Sequence, residues 1–371
     1  MQRYVSIILA NALVLAVLGW FGYLHETDSD AYYLAVQEDA PMEWSTCAAF
    51  FLAAFLHWYE AYRRRGHTRS ALFAVALGVF CLIFAGEEIS WFQRVAGYQP
   101  PDYFLANNYQ QEFNFHNVMS TDLRKLTLQL IMFGYGVALP LLFIFKVPRE
   151  FGSKIGIIGP PISMVPAFGA SYLLYYTYPW SYCGEIAEMM LGLCFLFAPI
   201  LRLMDSSARI TNLDKLWIRP LLVADAWILS FALGVTASTT MFDPSTENPF
   251  AKQTTAIEIA ALEHDFTNIV FDKDPPSWTK ENRHYRIFTL IRKKDVDSLR
   301  DGNFVDAAIA SGDEDRAQFF IDPWKTAYWT RLRKRSGEMV ITLYSFGPNR
   351  RRDSTRGELR GDDIGTVIRV R

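Results

Sequence analysis

Over its first two thirds the chain alternates long apolar stretches with short polar ones. A helix needs roughly 20 mostly apolar residues to cross about 30 Å of hydrocarbon. Seven stretches meet that test, at residues 5–24, 44–62, 71–90, 126–145, 155–178, 186–203 and 221–241. Pro160, Pro161 and Pro166 should delay or kink the fifth, because proline offers no backbone donor inside a helix. The first stretch, flanked by Arg3, could be a cleaved leader. Its length, with no small-x-small site after it, reads instead as a retained anchor.

After Pro244 and Pro249 the pattern changes. Residues 250–266 place Ala256, Ile257, Ala260 and Ala261 at helical spacing, which predicts an amphipathic helix. A charged region with Pro275, Pro276 and the acidic patch Asp313, Glu314 and Asp315 follows. Two strand-like runs, 326–333 and 338–345, flank a basic turn containing Gly337, and a third run covers 364–370. The expected architecture is a membrane all-α domain of about seven transmembrane helices at 1–243. A C-terminal α+β domain, a helix packed on a small antiparallel sheet, follows at 244–371.

Composition sharpens that division. The chain is 51% apolar and 20% charged, yet residues 244–371 hold 42 of its 76 acidic and basic side chains. One soluble globular domain and a disordered chain are both excluded. With 37 Lys+Arg against 39 Asp+Glu, nothing electrostatic points to nucleic acid, and the lipid bilayer is the first partner implied. Cys47, Cys81, Cys183 and Cys194 all fall in apolar runs, so no disulfide framework holds the polar third.

Cationic loops tend to remain cytoplasmic. One set of loops carries Arg63, Arg64, Arg65 and Arg69, then Lys146, Arg149 and Lys154, then Arg202, Arg209, Lys215 and Arg219. The alternate set has only Arg94. The bias predicts a bacterial inner-membrane protein with a cytoplasmic N-terminus and a periplasmic C-terminal domain.

By that topology several polar residues gather at the outer face. Glu43 begins the second span, Glu87 and Glu88 end the third, and Glu185 and Glu188 open the sixth. Acids at a helix N-terminus are favoured by the macrodipole, which explains the last pair without any function, whereas Glu87 and Glu88 sit where the dipole disfavours them and need a partner. Arg94, a metal or a substrate cation would serve. The outer loop adds Gln93, Asn107, Asn108, Gln110, Gln111, Glu112, Asn114, His116 and Asn117, and the spacing of Glu112, Asn114 and His116 faces all three one way in a helix or a strand. A carboxylate and an imidazole near Glu87 or Glu88 suit zinc or iron, or general acid and base work, although no HExxH pairing appears. A satisfied hydrogen-bond network is the simpler reading. Trp20, Trp44, Trp91, Trp180, Tyr176, Tyr178 and Tyr182 read as an aromatic belt.

Asp322-Pro323-Trp324, Tyr328, Tyr344-Ser345-Phe346-Gly347-Pro348-Asn349 and Gly361-Asp362-Asp363-Ile364 together resemble the globular part of the major pseudopilin of type II secretion. The resemblance covers roughly residues 250–371 with a poorly matched middle. It implies a calcium ion held by Asn349, Asp362 and Asp363 with the backbone carbonyls of Phe346 and Arg351. Calcium's preference for six to eight oxygens agrees with such a loop. Arg350, Arg351, Arg352, Arg356 and Arg360 oppose a cation there, and the alternative is that the aspartates pair with guanidiniums in a solvated loop. The family's processing signal is missing from residues 1–10, so assembly into a filament is not expected. Residues 85–91 and 114–117 are also similar to segments of uncharacterised bacterial multi-pass proteins, which implies no activity.

Two functional readings follow. One is a scaffold, receptor or accessory subunit that presents a pseudopilin-like module to a protein partner. The other is a membrane-embedded hydrolase or transferase, metal-dependent in one version, using Glu87, Glu88, Glu112, His116, Glu185 and Glu188.

Overall fold

The computed structural model describes residues 2–37, 39–98, 100–108, 112–206, 218–241, 250–265, 320–335, 338–354 and 358–370. Gln110, Gln111, Arg209, Lys215, Pro244, Pro249, Pro275, Pro276, the acidic patch at 313–315, Gly337 and Arg356 lie outside the described residues. Two compact units emerge, Met1–Ile89 with Met119–Thr239, and Ser90–Val118 with Thr240–Arg371.

In the first unit the helices are α1 (Gln2–Thr27), α2 (Ser29–Ala35), α3 (Pro41–Arg63) and α4 (Thr68–Glu88). The second unit contributes the short α5 (Gln93–Ala96) and α6 (Asp102–Asn107). The first unit then resumes with α7 (Thr121–Gln129), a π-helical stretch at Leu130–Ala138, α8 (Leu139–Leu142), α9 (Lys146–Ile155), α10 (Val165–Thr177), α11 (Cys183–Ser206) and α12 (Ile218–Thr240). Pro140 cannot donate to the preceding turn, and Leu139 N–H reaches back five residues to Gly134, so the ladder widens rather than breaks.

Five helical segments are long and apolar enough to cross a bilayer: Gln2–Thr27, Thr68–Glu88, Thr121–Leu142, Cys183–Met204 and Pro220–Thr240. Among the described residues two of the expected seven, α3 and α10, are not in this set, for two physical reasons. The 23-residue α3 has the length, but Glu43, His57 and Glu60 lower its hydropathy. The prolines delay α10 to Val165, which leaves 13 residues, or about 20 Å of helix. Residues 146–155, expected as a cationic loop, form α9 instead. Its Val147 and Phe151 are exposed beside Lys146, Arg149 and Lys154, the composition of a helix lying in a lipid headgroup layer.

The core of this unit is α11. Of its apolar window 83% is buried, against 22–33% for the other four segments, and it packs on α1, α3 and α10. A helix apolar on every side belongs inside a bundle. Gly192 lets it approach Ala49 and Phe50 of α3. On α12, Ser230, Gly234 and Ser238 repeat at four-residue spacing, the small-residue stripe by which membrane helices approach closely. A Cβ on Gly234 would lie 2.5 Å from the backbone of Ser45. Gly234→Leu is therefore expected to destabilise the purified protein by about 2 kcal/mol or more, read as a lower melting temperature in detergent.

The second unit holds α13 (Ala251–Asp265) and the strands β1 (Trp329–Arg335), β2 (Glu338–Ser345) and β3 (Ile364–Val370). They form an antiparallel sheet in the order β1-β2-β3, with Trp329 opposite Tyr344 and Ile341 opposite Ile368. Helix α13 packs on β2 and β3. Its buried face differs from the expected one: Ala256, Ile257 and Ala260 are exposed, while Thr255, Glu258, Ile259, Leu262 and Asp265 are buried with Ala261. The pattern misled because Glu258 is accommodated inside, where the Tyr328 hydroxyl donates to its carboxylate.

Ser90–Val118 enters this unit through a strained turn. Ser90, Trp91 and Phe92 have φ of 45°, 53° and 64°, three successive side-chain-bearing residues in the left-handed region. Beyond it, Leu105 of α6 packs on Ile321.

Candidate functional site

In the first unit, Glu88 at the C-terminus of α4 meets Glu185 and Glu188 in the first turns of α11. One carboxylate oxygen from each lies within 4.8 Å of the others. Glu88 is buried and the other two are half-buried. Three carboxyls so close must share protons or a cation. Glu43, in the first turn of α3, accepts from the backbone N–H of Asp39, the residue before the N-cap Ala40. Glu87 is buried as well. Cys47 lies within electrostatic reach of Glu43 and Glu88, and Tyr175 and Tyr178 lie within reach of Glu185, Glu188 and Arg124. Arg124, the cation beside those two tyrosines, is a residue that the sequence pattern did not single out, because it precedes the apolar run of its span. The donor set of the triad is carboxylate alone, which fits a hard cation or iron better than zinc, whose sites favour nitrogen and sulfur.

Glu112 and His116 belong to the second unit, and neither a helix nor a strand holds them. Residues 112–118 form an irregular turn. Glu112 is buried and fully engaged: Arg94 donates to it, Ser90 Oγ donates at 2.8 Å, and Asn114 Nδ2 donates at 2.8 Å. Asn108 Nδ2 reaches the Asn114 side chain and the Glu112 carbonyl, and Gln93 Oε1 accepts from Phe113 N–H. His116 is half-buried in the turn that follows. The space left between Gln93, Arg94 and Glu112 on one side and Thr326, Trp329 and Phe346 on the other is about 10 Å³, the lower limit for one water. The Arg94–Glu112 pair thus closes the loop on itself, and the Arg94 carbonyl accepts from Arg350 beyond β2. Of the aromatic belt, Trp20, Tyr176 and Tyr178 are exposed as expected, whereas Trp44 is buried and Trp180 donates to Tyr32 Oη. His25 packs on Trp180 and Tyr32 and bonds Glu26.

The sheet carries its own polar centre. Asp322 is buried beneath the turn that precedes β1, and its Oδ1 accepts from the backbone N–H groups of Trp324 and Thr326. Its Oδ2 accepts from the hydroxyls of Thr326 and Ser345, and Ser345 Oγ accepts in turn from Gly347 N–H. Burial pushes the Asp322 carboxyl up to about 6, against four hydrogen bonds that favour the charge.

Around the next turn, Asn349 Oδ1 accepts from Arg351 N–H and Asn349 Nδ2 donates to Asp353. Asp353 also accepts from Asp362 N–H, while Asp363 Oδ2 accepts from the N–H groups of Asp353 and Ser354. Asp363 Oδ1 is buried and has no hydrogen-bond partner among the described residues, and burial pushes this carboxyl up to about 7. Phe346 is buried, Arg351 is half-buried and Asp362 is exposed. Asp353, hidden in sequence among arginines, is the residue at the centre of the turn. Two of those arginines are not solvated: Arg352 is buried with its guanidinium 4.4 Å from the Trp329 ring centre, and Arg350 donates to the Arg94 carbonyl at 2.8 Å.

At the opposite ends of α3 and α11 lies a network that no local pattern announced. Arg202 donates to both carboxylate oxygens of Glu60 and to the Gly159 carbonyl, and Arg64 donates to Glu60 as well. His57, fully buried, sits beside both. Arg202 is a partly buried residue of α11, its side chain 11% exposed, and not a loop charge.

Comparison with protein-family models, curated proteins and solved structures finds no match to this chain.

Proposed function

We propose that the chain is a multi-pass inner-membrane scaffold, receptor or accessory subunit that presents a pseudopilin-like module to a protein partner in the periplasm. In this reading α3 and α10, the latter with its proline-rich approach, complete seven crossings and leave the N-terminus cytoplasmic. The observation that carries the reading is the clasp between Ser90–Val118 and the sheet. Arg350 holds the Arg94 carbonyl, Leu105 packs on Ile321, and the Arg94–Glu112 pair closes against Trp329 and Phe346. Ser90–Val118 is therefore packed with the sheet in one compact unit, which gives the module a defined surface to present. Calcium would be held by Asp353, Asp362 and Asp363 with Asn349 and the carbonyls of Phe346 and Arg351, and Asp363 Oδ1, buried and without a hydrogen-bond partner among the described residues, supplies an oxygen for the cation.

Two measurements test it. A photo-crosslinker placed at exposed Val367 of β3 in living cells should join the chain to one recurrent protein, and labelling no higher than from a lipid-exposed site such as Leu72 would overturn the reading. Calcium at about a hundred times its dissociation constant should stabilise the purified protein by about 2.7 kcal/mol. Asp363→Asn should abolish that gain, and no gain in the unaltered protein removes calcium from the proposal.

A second reading has one specific observation behind it, the convergence of Glu88, Glu185 and Glu188. It makes the chain a metal-dependent hydrolase or transferase. Elemental analysis separates the two: calcium alone supports the module, and iron or manganese lost in Glu88→Gln supports the carboxylate site.

A further inference from the structure

An apolar cavity of about 770 Å³ opens in the first unit between the C-terminal half of α1, the α2–α3 connection and α12. Its wall is formed by Trp20, Phe21, Met42, Trp227, Phe231 and Val235 with small residues between them. A Cβ added at Gly19, on the same wall, would meet nothing within 4 Å, so the space is real at the level of a side chain. Water does not settle such a volume, because an ordered water needs two to four polar partners. Left empty, the walls lose dispersion contacts outright. The lining runs over residues 227–235 of α12, about 12 Å of helix, which gives a cross-section of about 65 Å². A helix with its side chains is about 10–12 Å across and does not fit. The two helices that wall it, α1 and α12, are able to cross a bilayer and also carry exposed apolar side chains, Ile8, Leu15, Ile228 and Leu233.

We propose that this cavity holds one acyl chain of a membrane phospholipid as a fixed part of the protein. Lipid hydrocarbon is already as apolar as the lining, so the selectivity comes from filling a defined void and not from transfer out of water. The cavity lies toward the ends of α1, α3 and α12 that correspond to Glu43, so the headgroup of the held lipid is placed at the same level as the carboxylates. The inference rests on the membrane-crossing helices alone and is independent of the scaffold and enzyme readings.

The test uses the full chain in detergent micelles with 1-palmitoyl-2-oleoyl-phosphatidylethanolamine bearing a diazirine in one acyl chain, irradiated and mapped by mass spectrometry. Labels should concentrate on residues 16–23 and 227–235. Gly19→Trp should lower that labelling roughly tenfold. Gly169→Trp, whose Cβ position is equally open but which does not line the cavity, should leave it unchanged. Val235→Trp, filling the space from the other wall, serves if Gly19→Trp fails to fold. Equal labelling in the filled variants, or labels spread evenly onto the exposed α4 face at Leu72, Val75 and Val79, would overturn the proposal. So would a dimer that excludes the probe, since the cavity would then belong to a second copy.

Discussion

Asp322→Ala should unfold the sheet while leaving the membrane helices in place. Four donors converge on that carboxylate from three buried residues, Trp324 and Thr326 in the turn and Ser345 at the end of β2. Leaving a buried donor unsatisfied costs about 1–3 kcal/mol, so removal of the acceptor should cost about 4 kcal/mol or more even with some relaxation. Hydrogen exchange of the peptide 338–345 in the full-length protein would report it as lost protection, with peptides from α11 unchanged. The pH dependence has a definite sign. The carboxyl of the folded chain titrates at about 6 against an ordinary value of 3.8, so the folded state binds a proton that the unfolded state has released. Stability is then fullest below 3.8 and declines as pH rises through 6, by roughly 1 kcal/mol between pH 5 and 7. Asp322→Asn, which keeps the shape and one acceptor, should flatten that slope. Protection that increases from pH 5 to 7, after correction for intrinsic exchange, would contradict the assignment.

Alternation and turn chemistry made β2 and β3 legible to the residue, and β1 within a few positions, because strand signals are local. The bounds of α13 were equally clear. Its buried face was not, since Glu258 is buried on the strength of Tyr328, 70 residues away. The carboxylates Glu88, Glu185 and Glu188 could be grouped in advance because antiparallel helices bring known ends together. Glu112 could not be assigned, as its partners depend on a chain reversal through three left-handed residues with no glycine to announce it. Asp353 was masked by flanking arginines whose charges argue against a cation only while those side chains are taken as solvated. For α9 the apolar residues were present at helical spacing, but three cations in ten residues drew the reading toward a loop.

Arg202→Met should be the most damaging single change in the helical unit, with a loss of about 3–5 kcal/mol typical of breaking a buried ion pair from one side. Among the described residues Arg202 supplies three hydrogen bonds to Glu60 from α11 and also donates to the Gly159 carbonyl. Glu60 would keep Arg64 and the neighbouring His57, so the loss should fall toward the lower end of that range. Arg202→Lys should recover only part of it, because an ammonium cannot span both carboxylate oxygens and the carbonyl together. The instructive variant is the pair Glu60→Gln with Arg202→Met. With both charges gone the desolvation cost of each disappears, and the double variant should be more stable than Arg202→Met alone. Melting temperatures of the four proteins in one detergent complete the cycle. Strict additivity would mean that the guanidinium and the carboxylate act separately, whereas the geometry, one acid shared by two arginines between α3 and α11, requires a coupling of about 2 kcal/mol or more.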